Sequence, residues 1–203
     1  MTDHSQYGEA TFIRNYFADR DQSKLRFLDV GAADGVSNSN TRALFDAGWS
    51  GVLVEPNPLL FSALMRNYHG EERATLVNAA ITTAPGLIDF HVNTPDGIAS
   101  DQLSCVTPAQ RAKCEAYGYP FQTIMLAAID WDQLVCRKPS VILADFVNID
   151  VEGLNLEVFE AMPLKPEMVC IEAEPAERIE FEIWRRCRHA RLIGGNWIGW
   201  ELR

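Results

Sequence analysis

The chain has 203 residues, of which 47% are hydrophobic and 23% charged, and 28 acidic against 18 basic side chains give a formal net charge of −10. This is the composition of an ordinary globular protein able to bury a substantial core, and no stretch approaches the ~20 uninterrupted apolar residues of a membrane span. A strongly acidic chain is poorly suited to neutralise phosphates, so neither nucleic acid nor a membrane is expected as a partner.

The opening residues Met1 to Gln6 carry no basic or apolar region of the kind a secretory signal needs, which makes the cytoplasm the expected location. The five cysteines (Cys105, Cys114, Cys136, Cys170, Cys187) are scattered, with no CxxC pair. They read as inert thiols in a reducing compartment rather than as a disulfide framework or a zinc site.

Short runs rich in Val, Ile, Leu and Phe alternate with longer amphipathic stretches, the pattern of βα units feeding a mostly parallel sheet. Ahead of them, 1–24 reads as an N-terminal helical segment. The first strand is Arg26 to Val30, closed by a glycine turn, Gly31 to Gly35. A helix follows from Ser39 to Ala47, with Gly48 as its C-terminal cap. Next come a strand at Gly51 to Glu55, a helix opened by Pro56 and Pro58 and running to His69, and a third strand at Ala74 to Asn78. Gly86 to Val92 alternates like a strand near the edge of the sheet.

Residues 94–122 break the rhythm with Pro95, Gly97, Pro108, Gly118 and Pro120, and read as an irregular insertion holding a short helix around Ala109 to Tyr117. Regular structure resumes over Thr123 to Ile129, with a helix at Trp131 to Cys136. A strand at Phe146 to Asp150, a helix at Asn155 to Ala161 and a strand at Glu167 to Glu172 follow. A helix at Ala176 to Arg188 and a hairpin ending in Asn196 to Leu202 complete what is expected to be one domain over 1–203. The basic run Arg185 to Arg191 reads as a solvated helix end complementing the dipole, with an anionic substrate contact as the alternative.

Three groups of residues carry chemical signals. In Asp29-Val30-Gly31-Ala32-Ala33-Asp34-Gly35 the glycines stand four apart at a strand-to-helix junction, where the backbone can approach a ligand closely. A tight structural turn is the competing explanation. Carboxylates flanking the turn repel a pyrophosphate and suit a sulfonium or an ammonium. Glu55 ends the second strand 24 residues beyond Gly31, where an acidic residue commonly binds ribose hydroxyls, although alone it is also an ordinary charged strand end. Finally, Asn148-Ile149-Asp150-Val151-Glu152-Gly153 and Glu172-Ala173-Glu174 place carboxylates at the carboxyl ends of two strands. These can position an acceptor, act as a general base or hold a divalent cation, or they are simply charges favoured near a helix start.

These blocks, in this order, resemble the FkbM-type methyltransferases. So do Ser39-Asn40-Thr41, the run from Gly48-Trp49 through Glu55-Pro56-Asn57-Pro58, and the opening Ser5-Gln6-Tyr7-Gly8-Glu9. The resemblance implies a Rossmann-like class I methyltransferase fold, α/β, in three αβα layers with a mostly parallel seven-stranded sheet and one antiparallel strand. It implies methyl transfer from S-adenosylmethionine, usually to a hydroxyl of a sugar or natural product, so the expected partner is a small-molecule or carbohydrate acceptor. Carried over by residue, Asp29, Gly31 and Gly35 lie beside the methionine part of the cofactor, and Ala32 and Asn40 belong to the same set. Glu55 holds the ribose, Pro56 and Asn57 lie beside the adenine, Asn78 and Ala79 end the third strand near it, and Asp150 faces the methyl group. Ala33 departs from the family's turn, where Asn usually stands.

Candidate bases are Asp150, Glu152 and His91, the last with partly exposed structural histidine as the alternative. A metal-assisted variant has Asp150 with Glu172 or Glu174 holding Mg²⁺. The 94–122 insertion and Gln6-Tyr7 are expected to cover the acceptor. Two other readings stay open: a catalytically silent adenosyl-binding or scaffold protein, and an NAD-dependent oxidoreductase, the latter disfavoured by the missing middle glycine and the acidic turn.

Overall fold

The apolar runs that open the βα units pair side by side in a seven-stranded sheet. The computed structural model describes residues 2–93, 104–116 and 118–203. Within these, β1 (Arg26–Val30) pairs in parallel with β2 (Ser50–Val54) on one side, and β2 pairs with β3 (Ala74–Val77). On its other side β1 pairs with β7 (Phe146–Ile149), and β7 with β8 (Met168–Glu172), both in parallel. A closing hairpin, β9 (Cys187–Ile193) and β10 (Asn196–Leu202), completes the order β3-β2-β1-β7-β8-β10-β9, with β10 antiparallel to both of its neighbours.

Strand alternation decides which residues meet which helices. Leu28, Val30, Val52, Val54, Val147, Ile149, Val169 and Ile171 face one way. They bury against α5 (Trp131–Arg137), α6 (Asn155–Ala161) and α7 (Ala176–Arg186) through Trp131, Leu134, Leu156, Phe159, Ile179 and Ile183. Phe27, Leu53, Phe146, Met168 and Ile198 face the other way, against Ile13 and Phe17 of α1 (Glu9–Tyr16), Leu44 and Phe45 of α2 (Arg42–Asp46) and Leu64 of α3 (Pro58–Asn67). The result is three layers, helices on both faces of the sheet. Each such Leu, Val or Phe taken out of water contributes roughly 1.5–3 kcal/mol.

The Gly86 to Val92 strand departs from expectation. It forms β5 (Gly86–Asn93) of a separate three-stranded sheet, in which β6 (Phe121–Ile129) is central, antiparallel to β5 and parallel to the short β4 (Ala80–Ile81). Its alternate residues Phe90 and Val92 bury with Val106, Ile124 and Leu126, giving this sheet its own apolar face instead of a place at the main edge. Residues 94–103 of the expected insertion lie outside the described residues. The rest of it holds α4 (Pro108–Ala116) and the start of β6, which begins two residues before the expected Thr123.

The basic run also divides differently. Arg185 pairs with Glu182, and Arg186 donates to the carbonyls of Phe159 and Met162 where α6 ends, so that cation satisfies the carbonyl terminus of a neighbouring helix. Arg188 and Arg191 stand exposed on the edge strand β9, where charge discourages pairing with another chain. Among the described residues no helix is long and apolar enough to cross a membrane.

Candidate active site

From β1 the chain runs outward to β2 and β3, and from β7 outward in the opposite direction, so the topological switch lies between β1 and β7. Ligands of open α/β sheets bind beyond the carboxyl ends of the strands at that point. A cavity of about 480 Å³ opens there, within the range of small-molecule sites.

The register of the strands builds its floor. Val30 pairs with Ile149 and Ile149 with Ile171, so the next residues, Gly31, Asp150 and Glu172, emerge side by side. One row back, Asp29 pairs with Asn148 and Asn148 with Cys170. There Asn148 Nδ2 donates to Asp29 Oδ1 at 2.9 Å, Thr41 Oγ1 donates to Asp29 Oδ2 at 2.6 Å, and Asn40 Nδ2 donates to Asn148 Oδ1 at 3.0 Å. Burial raises the Asp29 carboxyl, and the Thr41 and Asn148 donors oppose it.

Gly31 has φ +92°, and a Cβ there would stand 1.8 Å from the Asp150 carbonyl oxygen, so the turn needs glycine for both conformation and space. Glu55 is buried at the cavity wall and staples the turn. Its carboxylate accepts from the Ala33 N–H at 2.8 Å and from the Asn57 N–H at 2.7 Å. Burial, the largest influence, pushes its carboxyl up to about 7. Ala33 sits at φ +50°, a left-handed conformation that asparagine tolerates better than alanine. Ala33→Asn is therefore expected to stabilise the protein by about 0.5–1 kcal/mol, read as a higher thermal midpoint. No gain would mean that the φ of this turn is not what disfavours alanine.

Three carboxylates gather past the ends of β7 and β8. Oxygens of Asp150, Glu152 and Glu172 lie within 4.8 Å of one another. Asp150 opens onto the cavity yet is surrounded by protein on most sides. Burial raises its carboxyl well above the ordinary range, and the charges of Glu172, Glu152, Asp29 and Glu55 add to the effect. Glu152, which accepts from Gln110 Nε2 of α4 at 2.9 Å, is pushed up to about 7 by burial and then by Glu172. Asn155, buried at the start of α6, donates to Glu172 at 2.7 Å and accepts from the Val151 N–H, locking this carboxylate in place.

Of the sequence candidates, Asp29, Gly31, Ala32, Asn40, Glu55, Pro56, Ala79, Asp150, Glu152 and Glu172 line the one cavity. Five do not. Gly35 packs against Leu64 and Tyr68, which leave no room for a Cβ, so it is needed for seating α3. Asn57 caps α3, accepting from the Leu59 N–H. Asn78 donates to the carbonyls of Glu55 and Pro56, holding their loop from behind. Glu174 is turned away to Lys113, and the third member of the acidic cluster is Glu152. His91 follows Phe90 on β5 and so points to the opposite face, where it pairs with Thr123 at 3.0 Å and its imidazole is held below its ordinary pKa by burial and then by Arg111.

Sequence reasoning missed Asn148 as a floor residue, although a polar side chain inside the buried run Phe146 to Ile149 was its signal. Gln6 reaches the cavity as expected, but Glu9 and Asn196, which close the wall around it, were missed. Glu9 is fully buried, accepts from the Tyr7 N–H and from Asn196 Nδ2, and brings Gln6 to the cavity beside the β9–β10 hairpin. The Tyr7 ring fills the space over Gly194 in that turn.

This sheet order, with its antiparallel penultimate position and a cavity at the switch point, defines an α/β protein of the methyltransferase type. Residues 29–186 match the family model described as the methyltransferase FkbM domain, and the chain belongs to that family. Among solved structures, it is similar to methyltransferase FkbM from Methylobacillus flagellatus KT, with a TM-score of 0.55 at 11% identity over 97% of this chain and 48% of that one. This chain thus spans about half the length of that protein. A putative methyltransferase, yhhF, from Escherichia coli matches at a TM-score of 0.48 and 12% identity over 100% of this chain and 88% of the other. Precorrin-6y C5,15-methyltransferase from Geobacter metallireducens GS-15 matches at 0.44 and 14%, over 88% and 80%. No curated protein matches significantly.

Proposed function

We propose that this chain transfers a methyl group from S-adenosylmethionine to a hydroxyl of a small-molecule or carbohydrate acceptor, within the cavity at the β1–β7 switch point. One observation carries the cofactor reading. The cavity is lined by six carboxylates, Glu9, Asp29, Glu55, Asp150, Glu152 and Glu172, and by no Lys, Arg or His among the described residues. Such a wall attracts a ligand bearing a sulfonium and an ammonium, and repels the pyrophosphate of NAD.

Asp29, Gly31, Ala32 and Asn40 hold the amino-acid end, Glu55 the ribose, and Pro56 and Ala79 the adenine. The bound cofactor supplies a methyl group already activated by its sulfonium. The protein's part is to align the acceptor oxygen in line with that group and to exclude water. Asp150 and Glu152, with carboxyls raised toward neutrality, stand where the acceptor's proton is released and take it up. A second reading adds Mg²⁺. The mutual approach of Asp150, Glu152 and Glu172 favours it, and a cation there would lower the acceptor's pKa.

Calorimetric titration with S-adenosylmethionine, S-adenosylhomocysteine and NAD tests the reading. Binding of both adenosyl ligands without NAD is expected, and a folded protein that takes up neither sinks the proposal. Glu55→Ala is expected to weaken that binding by about 1–3 kcal/mol, the scale of hydrogen bonds to a charged group. Unchanged affinity removes Glu55 from the site. Titration with MgCl₂ alone reads the metal variant, which fails if no heat is lost in Glu152→Gln. A silent binding protein would bind the cofactor and methylate no acceptor in a hydroxyl-bearing sugar panel.

A further inference from the structure

The buried row beneath the cavity fixes the orientation of one amide. The Asp29 carboxylate only accepts, so Asn148 must turn its Nδ2 toward it, which it does at 2.9 Å. Asn148 then has only its Oδ1 to offer on the other side, and Asn40 meets it with Nδ2 at 3.0 Å, the same nitrogen lying 3.6 Å from Cys170 Sγ. A flipped Asn40 would set two oxygens against each other. Its Oδ1 is therefore directed away from the row, and among the described residues nothing donates to it. Asn40 is only 6% exposed, and that exposure is to the cavity. That amide oxygen, its orientation fixed by the row behind it, is an acceptor with no protein donor among the described residues, presented at the cavity wall where a bound ligand can meet it.

We propose that Asn40 Oδ1 accepts a hydrogen bond from the ammonium of the cofactor's amino-acid end, and that Asn148, anchored on Asp29, is the positioning residue that sets this polarity. The proposal rests on the cofactor reading above and deepens it. The relay reaches from the strand floor to the ligand: Asp29 sets Asn148, and Asn148 sets Asn40. Leucine at 148 would leave the Asn40 amide free to turn its NH₂ toward the ammonium, which repels it. Leucine at 40 would remove the acceptor outright.

Three ligands separate this role from general damage to the site: S-adenosylhomocysteine, its deaminated analogue, and methylthioadenosine, which lacks the whole amino-acid end. The wild-type protein is expected to prefer S-adenosylhomocysteine to the deaminated analogue. Asn40→Leu and Asn148→Leu should each reduce that preference by about tenfold or more, with methylthioadenosine affinity unchanged. A preference kept in Asn40→Leu overturns the assignment, as does a loss shared equally by methylthioadenosine. Either variant suffices if the other does not fold. Wild-type protein that binds methylthioadenosine and shows no preference for the amino group refutes the Asn40 role and leaves the cofactor reading standing. Protein that binds none of the three refutes both.

Discussion

Replacing Gly31 with alanine is expected to destabilise the protein by about 3 kcal/mol or more, roughly twice the cost of the same change at Gly70 or beyond. Both glycines have positive φ, +92° and +78°, so both alanines incur the left-handed penalty of about 1–2 kcal/mol. They differ in what the new Cβ meets. At Gly70 nothing lies within 4 Å, whereas at Gly31 the Asp150 carbonyl oxygen lies 1.8 Å away and its carbon 2.8 Å away. That neighbour is backbone and cannot swing aside. The Gly31 N–H bonds to the Val54 carbonyl at 2.9 Å and the Asp150 N–H to the Val30 carbonyl at 2.9 Å, so retreat on either side breaks the ladder joining β1 to β2 or to β7. Because about 1 kcal/mol moves the midpoint of a chain this size by roughly 2–4 °C, Gly31→Ala should melt some 6–12 °C lower than wild type. Affinity for S-adenosylhomocysteine should fall with it, since the displaced atoms form the cavity floor. Equal melting of the two variants would mean that the turn and β7 do not approach each other as closely as described.

The same contact shows what was legible in the sequence. Glycine after a buried strand, and carboxylates at the ends of two others, are local signals, and βα alternation places such strand ends on one side of a sheet. That logic predicted Asp29, Gly31, Glu55 and Asp150 around one site, and the register brings them there. It could not tell side chains that face the cavity from those that support it. Asn57 and Asn78 sit in the right loop, but one caps a helix and the other holds carbonyls, a choice made by a fraction of a turn in the backbone. Glu172 and Glu174 looked equivalent as partners of Asp150. Asn155 holds the first at the cluster and Lys113 on α4 claims the second, while Gln110, one helical turn before Lys113, directs Glu152 inward. The three-stranded sheet was hidden for another reason: β5 alternates like any edge strand, and only its partner β6, across the insertion, decides which sheet it joins. Glu9 stood out only as the end of the opening motif, and its place in the cavity wall was hidden because its partner Asn196 lies at the other end of the chain.

The acidic cavity leads to an expected pH dependence in which stability and cofactor affinity move in opposite directions. Glu55 and Glu152 stand at about 7 in the folded chain against an ordinary 4.5, and Asp29, Asp150 and Glu172 are raised as well, burial leading in every case. A raised folded pKa means that between about pH 4.5 and 7 the native protein holds protons that the unfolded chain has released. Stability is therefore fully present below that window and is lost as pH rises through it. For Glu55 alone the shift corresponds to about 3 kcal/mol, with less for the more accessible Glu152. His91, lowered by burial, pulls the other way, as one group against several. Asp3, Asp34 and Glu167 are lowered, so their contribution is lost only in more acidic solution. The thermal midpoint of the free protein should then fall from pH 5 to pH 8, and Glu55→Gln should flatten the slope. S-adenosylmethionine brings a sulfonium charge that favours the ionised carboxylates, so its binding should release protons and tighten over the same interval. S-adenosylhomocysteine, without that charge, should tighten less. Calorimetry across pH, repeated in two buffers of different ionisation heat, reads both slopes and the proton count. A midpoint that climbs from pH 5 to 8, or equal pH slopes for the two ligands, would show that these carboxyls are already ionised in the free protein and that the cavity's charge is not what selects the sulfonium.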